Sequence, residues 1–435
     1  MKAGMAMLGY YLHLAWCDVL RRPAYTALIA IVLGAGSGIL VSMHALLAVL
    51  SGNPAGEKSQ RLVSIAIGAP EANGQPHGWM SGDTVMAIRQ RLPGQTVVSM
   101  AQGLARLETE AGRSSESHLL RLAEGGFFEA FDVPLAHGRA WSAEEEAEGS
   151  PVAVISRKLG EDIFGHQDAA LGQSLKLGGR SFRIIGILGA FSPMPRYYDM
   201  RLGTHADADD IFIPQKSLAG LDDSVFVGRS CKMETGMADN TWLLASSCQW
   251  LSVWVLMRSK DARAGLESAL QALLQDEAAV DGGSRAVMRV ENVDELLART
   301  KVVPKAVQYT ALIALGFFLL CLVNAAGLLL AKYLRRANEV GVRRALGASR
   351  RAIIAQFLVD AALMGVIGSA FALLFALAAT GLMQQMPVDY LQRPRLDMHV
   401  LAIGLGLTSV AALLSGVFPA VWASRVAPAI QMKTE

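Results

Sequence analysis

No stretch of this 435-residue sequence has the spacing of a phosphate-binding loop. The nearest approach, Gly52-Asn-Pro-Ala-Gly-Glu-Lys58-Ser59, sets its glycines and lysine at the wrong intervals, with no strand and helix around it. The chain is therefore not expected to hydrolyse a nucleotide itself. Catalytic and metal-ligand patterns are missing too. Glu144-Glu145-Glu146 with Glu148 reads as the solvated start of a helix after Trp141-Ser142 rather than a cation site. Asp207, Asp209 and Asp210 alternate without the glycine and distal glutamate of a calcium loop. Cysteine is scarce, four in all, and His77, His118, His166 and His205 show no ligand spacing near Cys231 or Cys248, which argues against zinc. No metal, no cofactor and no enzymatic activity are expected.

Charge is what the chain lacks over its longest runs. Residues 24–50, 306–331 and 400–424 carry none, and 352–383 carries only Asp360. A hydrocarbon core of about 30 Å takes about 20 helical residues, so each run can span a membrane. The expected architecture is four transmembrane α-helices with a large α+β extracytoplasmic domain between the first and second. A basic lead and the small residues Gly34, Ala35, Gly36, Ser37 and Gly38 would also suit a signal peptide, but the apolar run and its lead are too long for one. Lys2, Arg21 and Arg22 precede the first span, seven Lys or Arg lie in 332–351, and Arg425 and Lys433 follow the fourth. By the positive-inside rule both termini and the 332–351 loop are cytoplasmic. The segment 51–305 holds 32 acids and 26 bases while the rest holds 6 and 14, so a near-neutral total hides a split between two compartments.

About 250 residues are enough for the outer segment to bury a core of its own, as one lobe or two. Alternation predicts strands at 61–67, 152–155 and 251–257, and a hairpin from 173–177 and 182–187 about Gly178-Gly179. Helical spacing marks 81–92, 157–164 and 262–275. The stretch 189–247 reads as irregular, and 292–307 as a polar helix running unbroken into the second span. Cys231 and Cys248 share an oxidising compartment if this is a bacterial envelope; a disulfide closing a loop around 236–240 and two free thiols are the alternatives. Cys17 falls at the cytoplasmic edge, and Cys321, inside the second span, reads as packing.

The basic run also has a pattern. Val340, Val342, Ala345 and Leu346 interleave with Glu339, Arg343 and Arg344 as a short amphipathic helix, which Gly347 stops before Ser349 caps the next. Binding to anionic membrane lipid, at roughly 1 kcal/mol per cation, accounts for the charge but not for this pattern. Nothing in the run calls for nucleic acid. Inside the spans, Asn324 reads as interhelical glue. Asp360 is either a proton or substrate site or a structural contact, with the structural role favoured. The small residues of the first span suit close helix packing or a dimer seam.

The run Glu339-Val-Gly-Val-Arg-Arg-Ala-Leu-Gly-Ala348, followed by Arg350-Arg351 and Asp360, resembles the FtsX-like permease family of ABC transporters, as does Gly416-Val-Phe-Pro-Ala-Val-Trp-Ala-Ser424 with Pro428 close behind. Phe127-Phe-Glu-Ala-Phe-Asp-Val-Pro134, Gly138-Arg139, Pro151-Val-Ala-Val-Ile155, Phe164-Gly165, Gly172-Gln173 and Ile184-Ile-Gly-Ile187 resemble a MacB-type periplasmic core domain. The resemblance implies a type VII, mechanotransmission permease in the bacterial inner membrane. Its expected parts are a cytoplasmic segment 1–23, first span 24–50, periplasmic core domain 51–291, stalk and second span 292–331, coupling loop 332–351, third span 352–383, periplasmic loop 384–399, fourth span 400–424 and tail 425–435. Residues 292–424 would form the FtsX-like domain. A separate ATPase subunit would dock on Glu339, Gly341, Arg343, Arg344, Leu346 and Gly347. A second copy or a sister permease would complete a dimer, and an exporter would add a periplasmic adaptor and an outer-membrane channel. Export of a small molecule, peptide or lipid-linked cargo leads; signalling to an envelope enzyme, as in the cell-division branch, and lipoprotein extraction are the alternatives.

Overall fold

The computed structural model describes residues 2–70, 76, 78–109, 112–201, 203–204, 206–222, 224–231, 248–280, 286–386, 391 and 396–425. They fall into two compact units, Met1–Gly52 with Val303–Glu435, and Asn53–Val302. The expected loop tip at 236–240, the middle of the 384–399 loop and the tail beyond Arg425 lie outside the described residues.

The first unit is helical because its sequence offers long apolar runs with few breakers. Among the described residues, Pro23–Ser51, Lys305–Leu334, Arg350–Gln384 and Met398–Arg425 are its four helices long and apolar enough to cross a membrane. Pro23 stands in the first turn, where its missing N–H costs nothing. The Ser349 side chain accepts from the Ala352 N–H and starts the third span. The first span is central: 61 % of its most apolar window is buried inside the structure, against 28 % for the second.

Glycine makes that central position possible. A Cβ on Gly34 would lie 2.5 Å from Phe371 Cβ, one on Gly36 2.7 Å from Cys321 Cβ, and one on Gly38 2.6 Å from the Ala372 carbonyl. These residues therefore serve contacts within the chain, with the second and third spans, and not the dimer seam considered above. At the same crossing Ser42 Oγ donates to the Ala376 carbonyl at 3.2 Å, a polar tie between spans. Gly38→Ala is expected to cost about 1–3 kcal/mol by forcing two backbones apart, read as a lower melting temperature in detergent.

Residues 1–23, expected only as a cytoplasmic lead, hold a helix, Lys2–Arg21. It buries Tyr11, Ala15 and Asp18 on one face and exposes Met7, Tyr10, Trp16 and Leu20 on others.

Among the described residues the second unit is built on eleven strands: β1 (Leu62–Gly68), β2 (Thr96–Thr109), β3 (Gly112–Ala123), β4 (Leu135–Gly138), β5 (Val152–Ile155), β6 (Ser174–Leu177), β7 (Arg180–Leu188), β8 (Ile211–Pro214), β9 (Val225–Val227), β10 (Ser252–Leu256) and β11 (Val287–Asn292). Their order is β11-β1-β10-β2-β3-β8-β5-β7-β4, with β6 joining β2 to β7 and β9 lying on β2. Most pairs are antiparallel; β3 with β8 and β5 with β7 are parallel. Alternation gives the sheet two covered faces. Val63, Ile65 and Ile88 belong to one core, while Leu62, Val98, Phe127 and Trp254 belong to the other.

Two readings of the outer segment are corrected. The stretch 189–247, read as irregular, contributes β8 and β9 to the sheet. The expected unbroken helix 292–307 is instead Val293–Thr300, ended by Lys301 at φ +48°, and the second span starts anew at Lys305 after Pro304. Proline biases the residue before it away from helix, which is why the helix cannot run through. Cys231 and Cys248 are joined as a disulfide, Cα atoms 4.4 Å apart.

A charged network lies in the second core. Arg121 on β3 donates to Asp209 from Nε at 2.9 Å and to Asp199 from Nη1 at 2.6 Å. Arg196 donates to Asp209 at 2.5 Å, the Tyr198 hydroxyl donates to the same carboxylate at 3.2 Å, and Arg201 pairs with Asp199. Burial opposes the Asp199 charge, yet Arg201 and Arg121 outweigh it and hold the carboxyl far below its ordinary range. Asp209, which the sequence offered only as one of three alternating aspartates without a calcium-loop pattern, is thus a structural centre.

Candidate functional site at the charged end of the helical bundle

One end of the first unit gathers the residues that the sequence singled out around 332–360. The second span continues to Leu334, so Lys332 belongs to a helix and not to the loop. Its Nζ lies 2.9 and 2.8 Å from the two carboxylate oxygens of Asp360 on the third span, and 3.0 Å from Asp18 Oδ2 on the N-terminal helix. Arg336 pairs with the other oxygen of Asp18. Lys332, Asp360 and Asp18 are 2–3 % exposed. Two cations against two anions leave this buried cluster neutral, the condition under which charge is tolerated there. Tyr333 braces it, stacking on Phe357 at 4.1 Å and donating its hydroxyl to the Phe357 carbonyl at 2.9 Å.

The short helix Ala337–Ala345 follows directly. Val340 is its buried residue and packs in the apolar cluster of the bundle with Ile353 and Phe357. Arg343 donates to Gln356 on the third span and to Glu339, both at 2.8 Å, and Arg344 donates to the Ser424 carbonyl at 3.3 Å. The helix ends as a Schellman turn: Ala348 N–H reaches the Arg343 carbonyl, Gly347 N–H the Arg344 carbonyl, and Gly347 takes φ +99°. A side chain there would be strained whatever the space around it.

Two hydrogen bonds, one each to the third and fourth spans, and one apolar anchor therefore fix the helix to the bundle. The opposite face is free: Val342 is 62 % and Leu346 84 % exposed. Glu339 is half exposed, and Gly347 is exposed. Two large apolar side chains held open on a rigid, basic helix form a surface suited to a groove on another protein.

Asp360 is in this cluster; Asn324 is elsewhere. Asn324 is exposed on the second span and has no interhelical hydrogen bond among the described residues, so it does not bind the spans of one chain together. The disulfide Cys231–Cys248 is in the other unit. Sequence reasoning missed Asp18, Lys332 and Arg336 as partners of Asp360. A signal was present, because a charge costs most in an apolar span when unpaired, and Lys332 and Asp360 stand near corresponding ends of two spans.

Comparison with known proteins gives a consistent set of relatives. A family model described as MacB-like periplasmic core domain matches residues 26–273, and one described as FtsX-like permease C-terminal matches 311–428. The pyoverdine export ATP-binding/permease protein PvdT of Pseudomonas entomophila is 24 % identical over 79 % of this chain and 49 % of its own length. The macrolide export ATP-binding/permease protein MacB of Wolinella succinogenes is 24 % identical over 78 % of this chain and 47 % of its own. The chain thus spans about half the length of these curated relatives. Among solved structures, the extracellular domain of the noncanonic ABC-type transporter YknZ from Gram-positive bacteria is similar at 14 % identity and a TM-score of 0.36, over 53 % of this chain and 100 % of that one.

Proposed function

Because the chain belongs to the family that joins a MacB-like periplasmic core domain to an FtsX-like permease C-terminal region, we propose that it is the permease half of an export-type ABC transporter, worked by an ATPase lying outside this sequence. The observation that carries this reading is the anchored helix Ala337–Ala345, which holds Val342 and Leu346 open beside a buried charge cluster. An ATPase groove that closes on Leu346 pulls on Val340, Arg343 and Arg344, and through them on the third and fourth spans. Lys332 and Asp360 pass the same pull to the second span. The N-terminal helix moves with them through Asp18.

Orientation follows the basic residues: both termini and the 332–351 loop in the cytoplasm, the domain between the first and second spans in the periplasm. Export is favoured over signalling and lipoprotein extraction because the relatives are named for pyoverdine and macrolide export. A second permease copy is favoured by the second span, whose outward side carries Asn324 beside Val323 at 70 % and near Leu320 at 56 % exposure. An amide on that surface is better satisfied by another helix than by hydrocarbon. A periplasmic adaptor and an outer-membrane channel complete the export assembly.

Leu346→Asp tests the coupling reading. It is expected to weaken the complex with the ATPase at least about tenfold and abolish stimulated hydrolysis, since it places a carboxylate where an apolar anchor docks. Melting temperature should not move, because the position is 84 % exposed. Unchanged stimulation would end the reading.

A further inference from the structure

The charged network of the second unit is not balanced. Its members Arg121, Arg196, Arg201, Asp199 and Asp209 are three guanidinium groups and two carboxylates. Arg121, Arg196, Asp199 and Asp209 have side chains 0–1 % exposed, whereas Arg201 is 23 % exposed. The surplus positive charge therefore reaches solvent at Arg201.

Arg201 and Gln102 line a cavity of about 220 Å³ whose other walls are apolar side chains and glycine backbone. Its guanidinium lies over the Trp79 ring, 5.3 Å from the centroid. Leu104 and Phe226 form further walls, and Phe226 is 59 % exposed. The backbones of Gly103 and Gly228 keep the space open. A Cβ on Gly103 would lie 2.7 Å from the Phe226 carbonyl, and one on Gly228 3.3 Å from the Trp79 ring. Arg229 lies 5.9 Å from the Phe226 centroid but is not among the residues lining the cavity, which leaves Arg201 as its one lining cation.

We propose that this cavity is a binding site for a planar aromatic carboxylate. The ring lies among Trp79, Leu104 and Phe226, and the carboxylate meets Arg201. One guanidinium in an apolar wall matches a single negative charge on an apolar body, and does not match a polyanion, which would need several. Aromatic walls favour a flat ring, which can stack or meet their edges. Arginine favours a carboxylate because its charge is permanent and its hydrogen bonds to an ionised oxygen are charge-assisted; its Nε and Nη2 already donate to Asp199, so the ligand meets the part of the side chain, 23 % exposed, that lines the cavity. The Arg201 charge is already held in place by Asp199, so binding requires little ordering of that side chain. The site stands on this geometry and does not depend on the ATPase-coupling reading.

The test uses the full chain in lipid nanodiscs and isothermal titration with 1-naphthoate and its neutral analogue 1-naphthamide. Saturable binding of naphthoate, at least about tenfold tighter than naphthamide, is the expected result, the ratio corresponding to one charge-assisted contact. Arg201→Gln is expected to remove the preference for the anion and Phe226→Ala to weaken both ligands about tenfold. Phe226 is mostly exposed, so its variant keeps the test valid even if Arg201→Gln fails to fold. Non-saturable uptake, equal affinity for the two ligands, or affinities unchanged by Phe226→Ala would overturn the proposal.

Discussion

Lys332→Met is expected to destabilise the helical unit by about 3–5 kcal/mol, the cost of breaking a buried ion pair from one side. The substitution removes the cation 2.8 Å from Asp360 and 3.0 Å from Asp18 and leaves two carboxylates buried with Arg336 alone. Volume is nearly kept, so packing contributes little and charge decides the outcome. The damage should be reversible by removing charge of the opposite sign. Lys332→Met with Asp360→Asn leaves Asp18 and Arg336 as a balanced pair, and is expected to recover most of the loss. Thermal unfolding in detergent of the two single variants and the double variant reads this directly. Additive losses would mean that the three side chains do not form one cluster.

Asp209→Ala is expected to be as costly in the other unit, again about 3–5 kcal/mol. Asp209 accepts from Arg121, Arg196 and the Tyr198 hydroxyl, and its side chain is fully buried. Without it two buried guanidinium groups lose their shared counter-ion, and the positive excess of the network doubles. Asp207→Ala, two residues away, is expected to change stability by less than about 1 kcal/mol, because Asp207 is exposed and its main-chain carbonyl, which accepts from Arg196, survives the substitution. Urea unfolding followed by tryptophan fluorescence separates the two, since Trp254 donates to the Tyr198 carbonyl within the same core.

How much of this was legible in the sequence depends on how far apart the cooperating residues lie. The four spans were plain, because an uncharged apolar run of such length suits a bilayer crossing and little else. The stop at Gly347 and the cap at Ser349 were also readable, since each acts on its immediate neighbours. The partners of buried charges were not. Asp209 is 88 positions from Arg121, and without contacts an acid in 207–210 looks like any loop acid. Lys332 looked like one cation of a basic run because its place in the last turn of a span depends on where the helix ends. Gly103 hid the longest strand: glycine argues against strand locally, yet β2 needs it where β9 approaches too closely for a Cβ. Pro304 could have warned that the helix 292–307 would break. The outward view of Leu346 was not readable either, for amphipathicity marks two faces without saying which one the protein keeps.

The most direct measurement is a cross-link from the short helix. A cysteine at Leu346 or at Val340, in a chain with Cys17 changed to serine and with the other free thiol, Cys321, buried, would be treated in membranes with a short thiol-reactive cross-linker in the presence of the candidate ATPase. Position 346 is 84 % exposed and position 340 is 8 % exposed, so an adduct of chain plus ATPase is predicted from Leu346→Cys and none from Val340→Cys. An adduct from neither, with both cysteines confirmed present and the ATPase bound, would contradict the claim that this helix is where the motor engages.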